Sequence, residues 1–427
     1  MALRRLLGLP MLTFYGTGMI LGAGIYSIIG QVAGLAGQSL WQGFLLAAAA
    51  ALLTALSYAE LAAMYPTTGA EYIYLRNAFS GQHWLAATTG MTVTFAGCAS
   101  AATVSLAFAS YLEYFVQLPR FLVASSLLIV FTRVGLLGIR HSSWTNVVFT
   151  LIEVTGLVLF ICLGLQSADF GNALAANPTS ATLSSAALII FSFLGFENIV
   201  SLAEETKRPE KNIPYAIFLS LLIATILYTL VSLAALALMS PQLLAQTDSA
   251  IVDASLQSSP RLAGVLGGIA LFSTANTVLI SLVTTSRILY GISQNKALPE
   301  VFSKTLHRRR TPWVAALLAL FLTLILLLFG KVETLASLAS FSTMMVFVAV
   351  NAALIRLRRI APYKNRPFRI PFSVGHIPIL PVFGIVICSV FLFQFDQLIY
   401  LTGFFIFICT VGIYFIYDSS LLNKRSA

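Results

Sequence analysis

Charge is what this 427-residue sequence has least of. Its 15 acidic and 25 basic residues make up 9% of the chain, against 58% hydrophobic residues and a mean hydropathy of +0.90. An average soluble domain carries about 25% charged residues, so a water-exposed surface of this size cannot be covered. A soluble globular enzyme and a disordered chain are both excluded. Cysteine is scarce as well: Cys98, Cys162, Cys388 and Cys409 lie in apolar stretches without a CxxC partner, which argues against a disulfide framework or a zinc site. The four histidines, His83, His141, His307 and His376, fall in polar segments between apolar runs, so none stands at membrane depth to ligate haem or relay protons. No GxxxxGK[ST] occurs, and no polar segment exceeds roughly 20 residues, which leaves no room for a nucleotide-binding, catalytic or sensor domain. No metal or organic cofactor is expected.

What is present is a series of apolar runs of roughly 20 residues, the pattern of membrane-spanning helices. Read against the charges, they predict an all-α membrane protein with about twelve spans, near 11–31, 41–64, 85–112, 119–138, 146–167, 182–204, 214–239, 262–292, 313–330, 334–355, 377–394 and 398–417. An even number puts both termini on one side. Segments on that side hold 20 of the 25 basic residues, from Arg4 and Arg5 through Arg308, Arg309 and Arg310 to Lys424 and Arg425. The other side holds Arg120, Arg261 and Lys331, with Arg133 and Arg287 in span ends. Such asymmetry places both termini in the cytoplasm, and it accounts for the net charge of +10 through topology rather than a nucleic-acid partner. Cleavage after Gly22-Ala23-Gly24, as in a secretory leader, would leave eleven spans and spoil that count.

Two spans carry signs of interruption. Span 1 has four glycines within nine residues, Gly16 to Gly24, each costing a helix up to about 1 kcal/mol relative to alanine. Glycine in membrane helices also serves close packing, so two readings stand: a small-residue packing face, or a helix that unwinds around Gly22–Gly24. Span 6 places Gly195 and Glu197 in mid-span. A carboxylate at that depth needs a partner, and the positive N-terminus of a half-helix would be one. Spans 1 and 6 are five helices apart, hence oppositely oriented, and paired interruptions in two five-helix halves point to an inverted-repeat transporter. Unwound backbone at membrane depth must line protein or a water-filled cavity, so the breaks are where a substrate would bind.

The stretch Gly18 to Tyr26 resembles the first-helix signature of the amino acid–polyamine–organocation (APC) superfamily. Ser57-Tyr58-Ala59-Glu60-Leu61 through Tyr72 is similar to its second helix and following loop. Gly195-Phe196-Glu197 through Pro214 is similar to its most diagnostic segment, and Arg287 to Pro299, Thr311-Pro312 and Arg366 to Pro371 fit later ones. The resemblance covers nearly the whole chain in order. It implies a LeuT-type fold with helices 1 and 6 broken: a first repeat at 1–167, a second at 168–359, and two peripheral helices with the C-terminus at 360–427. It also implies amino acid or amine transport by alternating access in the cytoplasmic membrane. Carried over residue by residue, a substrate carboxylate would meet the N–H groups of Ala23, Gly24 and Ile25 beside the unwound Gly22, since helix starts attract anions. The ammonium group would meet the carbonyls of Ile20, Phe191 and Leu194. Phe191, Phe193 and Phe196 would cover the substrate, with Phe191 as gate, or serve as core packing.

Glu153 departs from the superfamily pattern, in which many members carry a lysine there. A carboxylate in an apolar bundle is a functional hypothesis by default, and three readings compete. Glu153 takes and releases a coupling proton; or it binds Na⁺ with hydroxyls of span 8, where Ser281, Thr284, Thr285 and Ser286 lie; or it is a structural hydrogen-bonding group. Glu197 reads as a cap tying span 6 to span 1, or as part of the gating machinery. Glu60 is expected to be solvated or paired with a loop base. Glu204, Glu205, Lys207 and Arg208 read as a charged collar or as inner-gate ion pairs. Spans 3, 8 and 10 offer hydroxyls and Asn276 but no mid-span acid, which favours neutral amino acids. The expected function is proton-coupled symport of an amino acid, with exchange or Na⁺ coupling as alternatives and a transport-like sensor as the distant one. Small-residue faces such as Ala47–Ala51 pack helices within one chain or between two, so the oligomeric state stays open. The basic stretch Arg356–Arg369 suits anionic lipid headgroups of the bilayer.

Overall fold

A computed structural model describes residues 5, 7–137, 139–167, 169–174, 180–247, 249–256, 259–306, 309 and 311–426. Arg4, His307, Arg308 and Arg310 lie outside them, as do the side chains of Ala23, Arg140, His141, Lys424 and Arg425. In chain order the helices are α1 (Leu9–Ala36), α2 (Leu40–Met64), α3 (Ala70–Ala78), α4 (His83–Glu113), α5 (Arg120–Gly135), α6 (Ile139–Leu165), α7 (Phe170–Leu174), α8 (Ser180–Phe193), α9 (Pro209–Leu238), α10 (Pro241–Leu244), α11 (Ala250–Leu256), α12 (Pro260–Gln294), α13 (Trp313–Phe329), α14 (Val332–Ile360), α15 (Ile379–Leu392) and α16 (Gln397–Ser426). A tight 3₁₀ stretch, Phe196–Glu205, follows α8. The strands β1 (Ser373–Val374) and β2 (Ile377–Pro378) form a small antiparallel pair, Val374 opposite Ile377.

Helices are what such a sequence must form, because in hydrocarbon each backbone N–H and C=O has to be satisfied within its own segment. Prolines mark the starts: Pro10, Pro209, Pro241 and Pro260 all sit in first turns, where the missing N–H costs nothing. Among the described residues, eight stretches are long and apolar enough to cross a membrane. The first of them, Leu9–Met64, contains two helices, and Trp313–Leu328 and Ile379–Leu392 are shorter apolar helices. The chain is thus an all-α, multi-pass membrane protein. Part of the segment after α2 is ordered as α3, capped at its start by Gly69 with φ +73°.

The core surrounds α1, which packs against α6, α8, α9 and α12, while α4 lies against α12 and α14. Burial separates centre from rim. The apolar window of Ala181–Glu205 is 94% buried in protein and that of Gln397–Tyr417 only 22%, leaving Leu401, Phe404, Phe405 and Ile416 outward as a lipid-facing surface.

Of the two expected interruptions, span 6 has one. The helix stops at Phe193, Gly195 adopts φ +133°, and the chain resumes as 3₁₀. That conformation is essentially confined to glycine, and a Cβ at Gly195 would stand 3.1 Å from Ile20 N and Met19 C. Span 1 corrects the expectation: α1 is continuous from Leu9 to Ala36. Its glycines serve close packing instead. A Cβ on Gly16 would collide with Ile199 and Ser220, on Gly18 with Thr150, on Gly22 with Thr277 and the Ser273 carbonyl, and on Gly24 with Ser192 and the Tyr228 hydroxyl. Five neighbouring elements, the 3₁₀ stretch and α6, α8, α9 and α12, thus press on one helix, and it stays helical because its glycines admit them.

Candidate functional site

The interruption of span 6 borders a partly open cavity of about 30 Å³. Met19 of α1, Tyr58 of α2, Gly97 and Ser100 of α4, and Thr343 of α14 line it. Leu194, Gly195, Glu197 and Asn198 line the side of the break, and Thr277, Ser281, Thr284 and Thr285 project from α12. Hydroxyl-bearing positions on α12 recur every three or four residues, so they share one helix face. Of those hydroxyls, Thr284 is quenched locally, donating to the Ile280 carbonyl at 3.0 Å. Thr277 Oγ1 is buried without a partner.

Glu197 shapes the break. Its Oε2 accepts the Gly195 amide at 2.9 Å and its Oε1 the Asn198 side-chain amide at 3.1 Å. The carboxylate thus satisfies backbone that the turn leaves open, while still facing the cavity.

Glu153 is fully buried on α6. Its Oε1 accepts the Ser273 hydroxyl of α12, whereas Oε2 has no partner among the described residues. The contact lies beside Gly22, whose missing Cβ lets Ser273 and Thr277 approach α1. Thr277, one turn along from Ser273, connects this spot to the cavity wall. The expected association of Glu153 with Ser281 and Thr284 is not what the structure brings together: those hydroxyls are two or more turns away, about 12 Å or more along the axis at a 1.5 Å rise per residue. Ser281 and Thr284 line the cavity instead.

The residues expected to hold a substrate's charged ends are placed as follows. Ala23, Gly24 and Ile25 lie inside continuous α1, so their amides are directed at the preceding turn. The Ile20 carbonyl receives the Tyr228 hydroxyl of α9 at 2.5 Å, and the same hydroxyl lies 3.2 Å from the Leu21 carbonyl and 2.9 Å from that of Ser192. The Phe191 carbonyl accepts the Leu194 amide at 3.1 Å. Phe191, Phe193 and Phe196 are wholly buried and stand behind the cavity wall: Phe193 packs edge-on to Tyr228, and Phe196 to Tyr58. Tyr228 is the residue that sequence reasoning missed, since a single tyrosine in an apolar helix has no motif around it.

The helix ends around Thr68 and Glu205 are tied together. Thr68 gives its amide and hydroxyl to Glu204 at 3.1 and 2.8 Å, Arg287 lies 3.4 Å from Glu205, and Leu7 bridges Glu205 and Lys207 through backbone hydrogen bonds. Glu60, expected to be solvated or paired with a loop base, is fully buried and accepts Arg358 Nε at 2.9 Å and the Ile370 amide at 2.9 Å. Arg366 Nε stands 3.1 Å away.

The family model for amino acid permeases matches residues 7–416. The chain is 29% identical to the branched-chain amino acid permease BcaP of Bacillus subtilis over 91% of this chain and 87% of that protein. It is 27% identical to the methylthioribose transporter of the same organism, over 97% and 94%. It is 32% identical to cationic amino acid transporter 4 of Mus musculus over 84% of this chain, spanning 61% of that longer relative.

Proposed function

The chain belongs to the amino acid permease family, and from that premise we propose that it is a proton-coupled symporter of neutral amino acids in the cytoplasmic membrane. It crosses the bilayer twelve times, as two inverted five-helix repeats, residues 1–167 and 168–359, followed by two peripheral helices, with both termini cytoplasmic. The observation that carries the reading is the cavity at the Leu194–Gly195 break, bordered across α1 by a fully buried carboxylate with one free oxygen.

Substrate enters the cavity beside Met19, Gly195 and Thr277. Its ammonium group competes with the Tyr228 hydroxyl for the carbonyls of Ile20 and Ser192, and its carboxylate is received when α1 loosens around Gly22–Gly24, freeing the amides of Ala23, Gly24 and Ile25. Glu153 touches α12 at that same turn. Protonation removes its charge and lets α1 and α12 separate from α6; deprotonation pulls Ser273 back. The coupling ion is then H⁺, since Glu153 has one hydroxyl beside it rather than the ring of oxygen ligands a cation such as Na⁺ requires.

A second reading concerns the substrate. Glu197 lines the cavity, and relatives include proteins named cationic amino acid transporters, so a cationic side chain has a carboxylate to meet. Uptake of radiolabelled L-leucine and L-arginine into proteoliposomes under an inward proton gradient decides between them. Concentration of leucine that requires the gradient, and is lost in Glu153→Gln with counterflow retained, supports proton symport. Concentration of arginine alone transfers the substrate reading to Glu197, and gradient-independent exchange of either refutes coupling.

A further inference from the structure

One buried carboxylate plays no part in the scheme above. Glu71 sits in the first turn of α3, outside the apolar spans, yet is only 4% exposed. Its Oε1 accepts the Tyr58 hydroxyl at 3.2 Å, and the Tyr58 ring lines the central cavity together with Glu197. Resting on the proton-symport reading, we propose that Glu71 is the inner exit station of the coupling proton, connected to the cavity through the Tyr58 hydroxyl.

Among the described residues, no cation is hydrogen-bonded or ion-paired to it. From α2 it faces Tyr58, from its own helix Tyr74, and from the 3₁₀ stretch Glu197, whose charge acts on the same phenol. Across α14, Arg358 is engaged by Glu60, and Arg356 lies over the Phe79 ring. On α12, Arg287 is paired with Glu205; Arg76 of α3 itself reaches Asn295. The packed face of α4 carries no charged residue between His83 and Glu113. Burial therefore goes uncompensated and pushes the Glu71 carboxyl up from 4.5 to about 7, with the Tyr58 hydroxyl and its own amide pulling the other way. A carboxyl poised there exchanges protons at cytoplasmic pH.

The transfer balances without any further reactant. Tyr58 gives its hydroxyl proton to the Glu71 carboxylate while accepting one from the cavity side, and the protonated carboxyl then loses a proton to water. What keeps water away is the start of α3: Thr68 is held by Glu204, and the Gly69 backbone lies about 3 Å from where a Cβ of Gly291 would stand. Opening of that junction exposes Glu71 to the inner solution and closing shields it, so release is confined to the inward-open phase.

The test is gradient-driven uptake of L-leucine and L-arginine into proteoliposomes sorted for one orientation, α3 face inward, at fixed external pH with lumenal pH varied from 6 to 8. Wild-type uptake should fall as lumenal pH drops through about 7. Glu71→Gln should accumulate at least tenfold less, with no response to lumenal pH, while counterflow stays within about twofold. Tyr58→Phe removes the relay hydroxyl and should likewise abolish the response of uptake to lumenal pH, whereas a tyrosine that merely donates to Glu71 would on removal leave the response in place with its midpoint moved to higher pH. An unaltered lumenal-pH profile in Glu71→Gln or a retained lumenal-pH response in Tyr58→Phe overturns the assignment, as does joint loss of counterflow and uptake in Glu71→Gln. If wild type never concentrates either substrate with the gradient, the symport reading fails first and this one falls with it.

Discussion

Glu60 and Glu153 are both fully buried carboxylates in apolar helices, and their surroundings are opposites. Glu60 is met by two guanidinium groups and a backbone amide, with Arg358 further held by Ser373 Oγ at 2.6 Å and the Ile370 carbonyl at 3.1 Å. Glu153 has one hydroxyl and a free oxygen. Saturation freezes a charge in place: every acceptor of Glu60 is spent on joining α2 and α14 to the segment that follows α14. A carboxyl left half-satisfied can gain or lose a proton without dismantling anything. Burial alone therefore says little about role; the number of partners separates scaffold from switch.

Removing a partner from Glu60 should have the largest effect. Arg358→Met leaves the buried Glu60 charge with Arg366 and the Ile370 amide alone, and loss of a buried partner costs up to about 3–5 kcal/mol; the variant should melt well below wild type in detergent, and Glu60→Gln added to it should restore part. Wild-type melting of Arg358→Met would break the comparison. Glu153→Gln should do the reverse, abolishing gradient-driven accumulation while melting within about 1 kcal/mol of wild type, as expected for a neutral isostere with its hydroxyl contact kept. A large drop in melting temperature would place Glu153 on the scaffold side.

Gly195→Ala sharpens the contrast from the backbone side. Its positive φ costs a side-chain residue about 1–3 kcal/mol and the added methyl meets Met19 and Ile20, so both stability and counterflow should fall. Tyr228→Phe takes one hydroxyl from the Ile20 carbonyl, a loss of about 0.5–1.5 kcal/mol; substrate binding followed by calorimetry should tighten if the ammonium group competes for that carbonyl. The smallest effect is a pH dependence. Glu71 holds its proton more tightly folded than unfolded, about 7 against 4.5, so its stabilisation is complete below 4.5 and is lost as pH rises through 7. Melting temperature should fall over that interval more steeply in wild type than in Glu71→Gln.

The sequence made the interruption of span 6 legible because two signals coincide there: a glycine and, two residues on, a carboxylate able to cap the exposed amides. Four glycines in span 1 were the stronger compositional signal and yet the helix is continuous, because glycine count cannot distinguish a hinge from a groove that admits Ile199, Thr150, Thr277 and Ser192. Glu153 and Glu197 were both visible as charges at membrane depth. Their partners were not: Ser273 looked no different from Ser281, two turns further along the same helix, and Tyr228 had no local pattern to mark it.

Hydrophobic patterning by itself determined that the chain is helical and membrane-spanning, since continuous apolar runs of about 20 residues suit helices rather than the short alternating strands of a barrel. Its ordered motifs determined the family. Which hydroxyl faces Glu153, which carbonyls Tyr228 covers, and that Glu60 is locked while Glu71 is merely sheltered were decided only by tertiary structure. Each of these depends on the rotation of one helix against another, and a rotation of about 100° per residue turns neighbouring positions to different partners with no change in the local sequence.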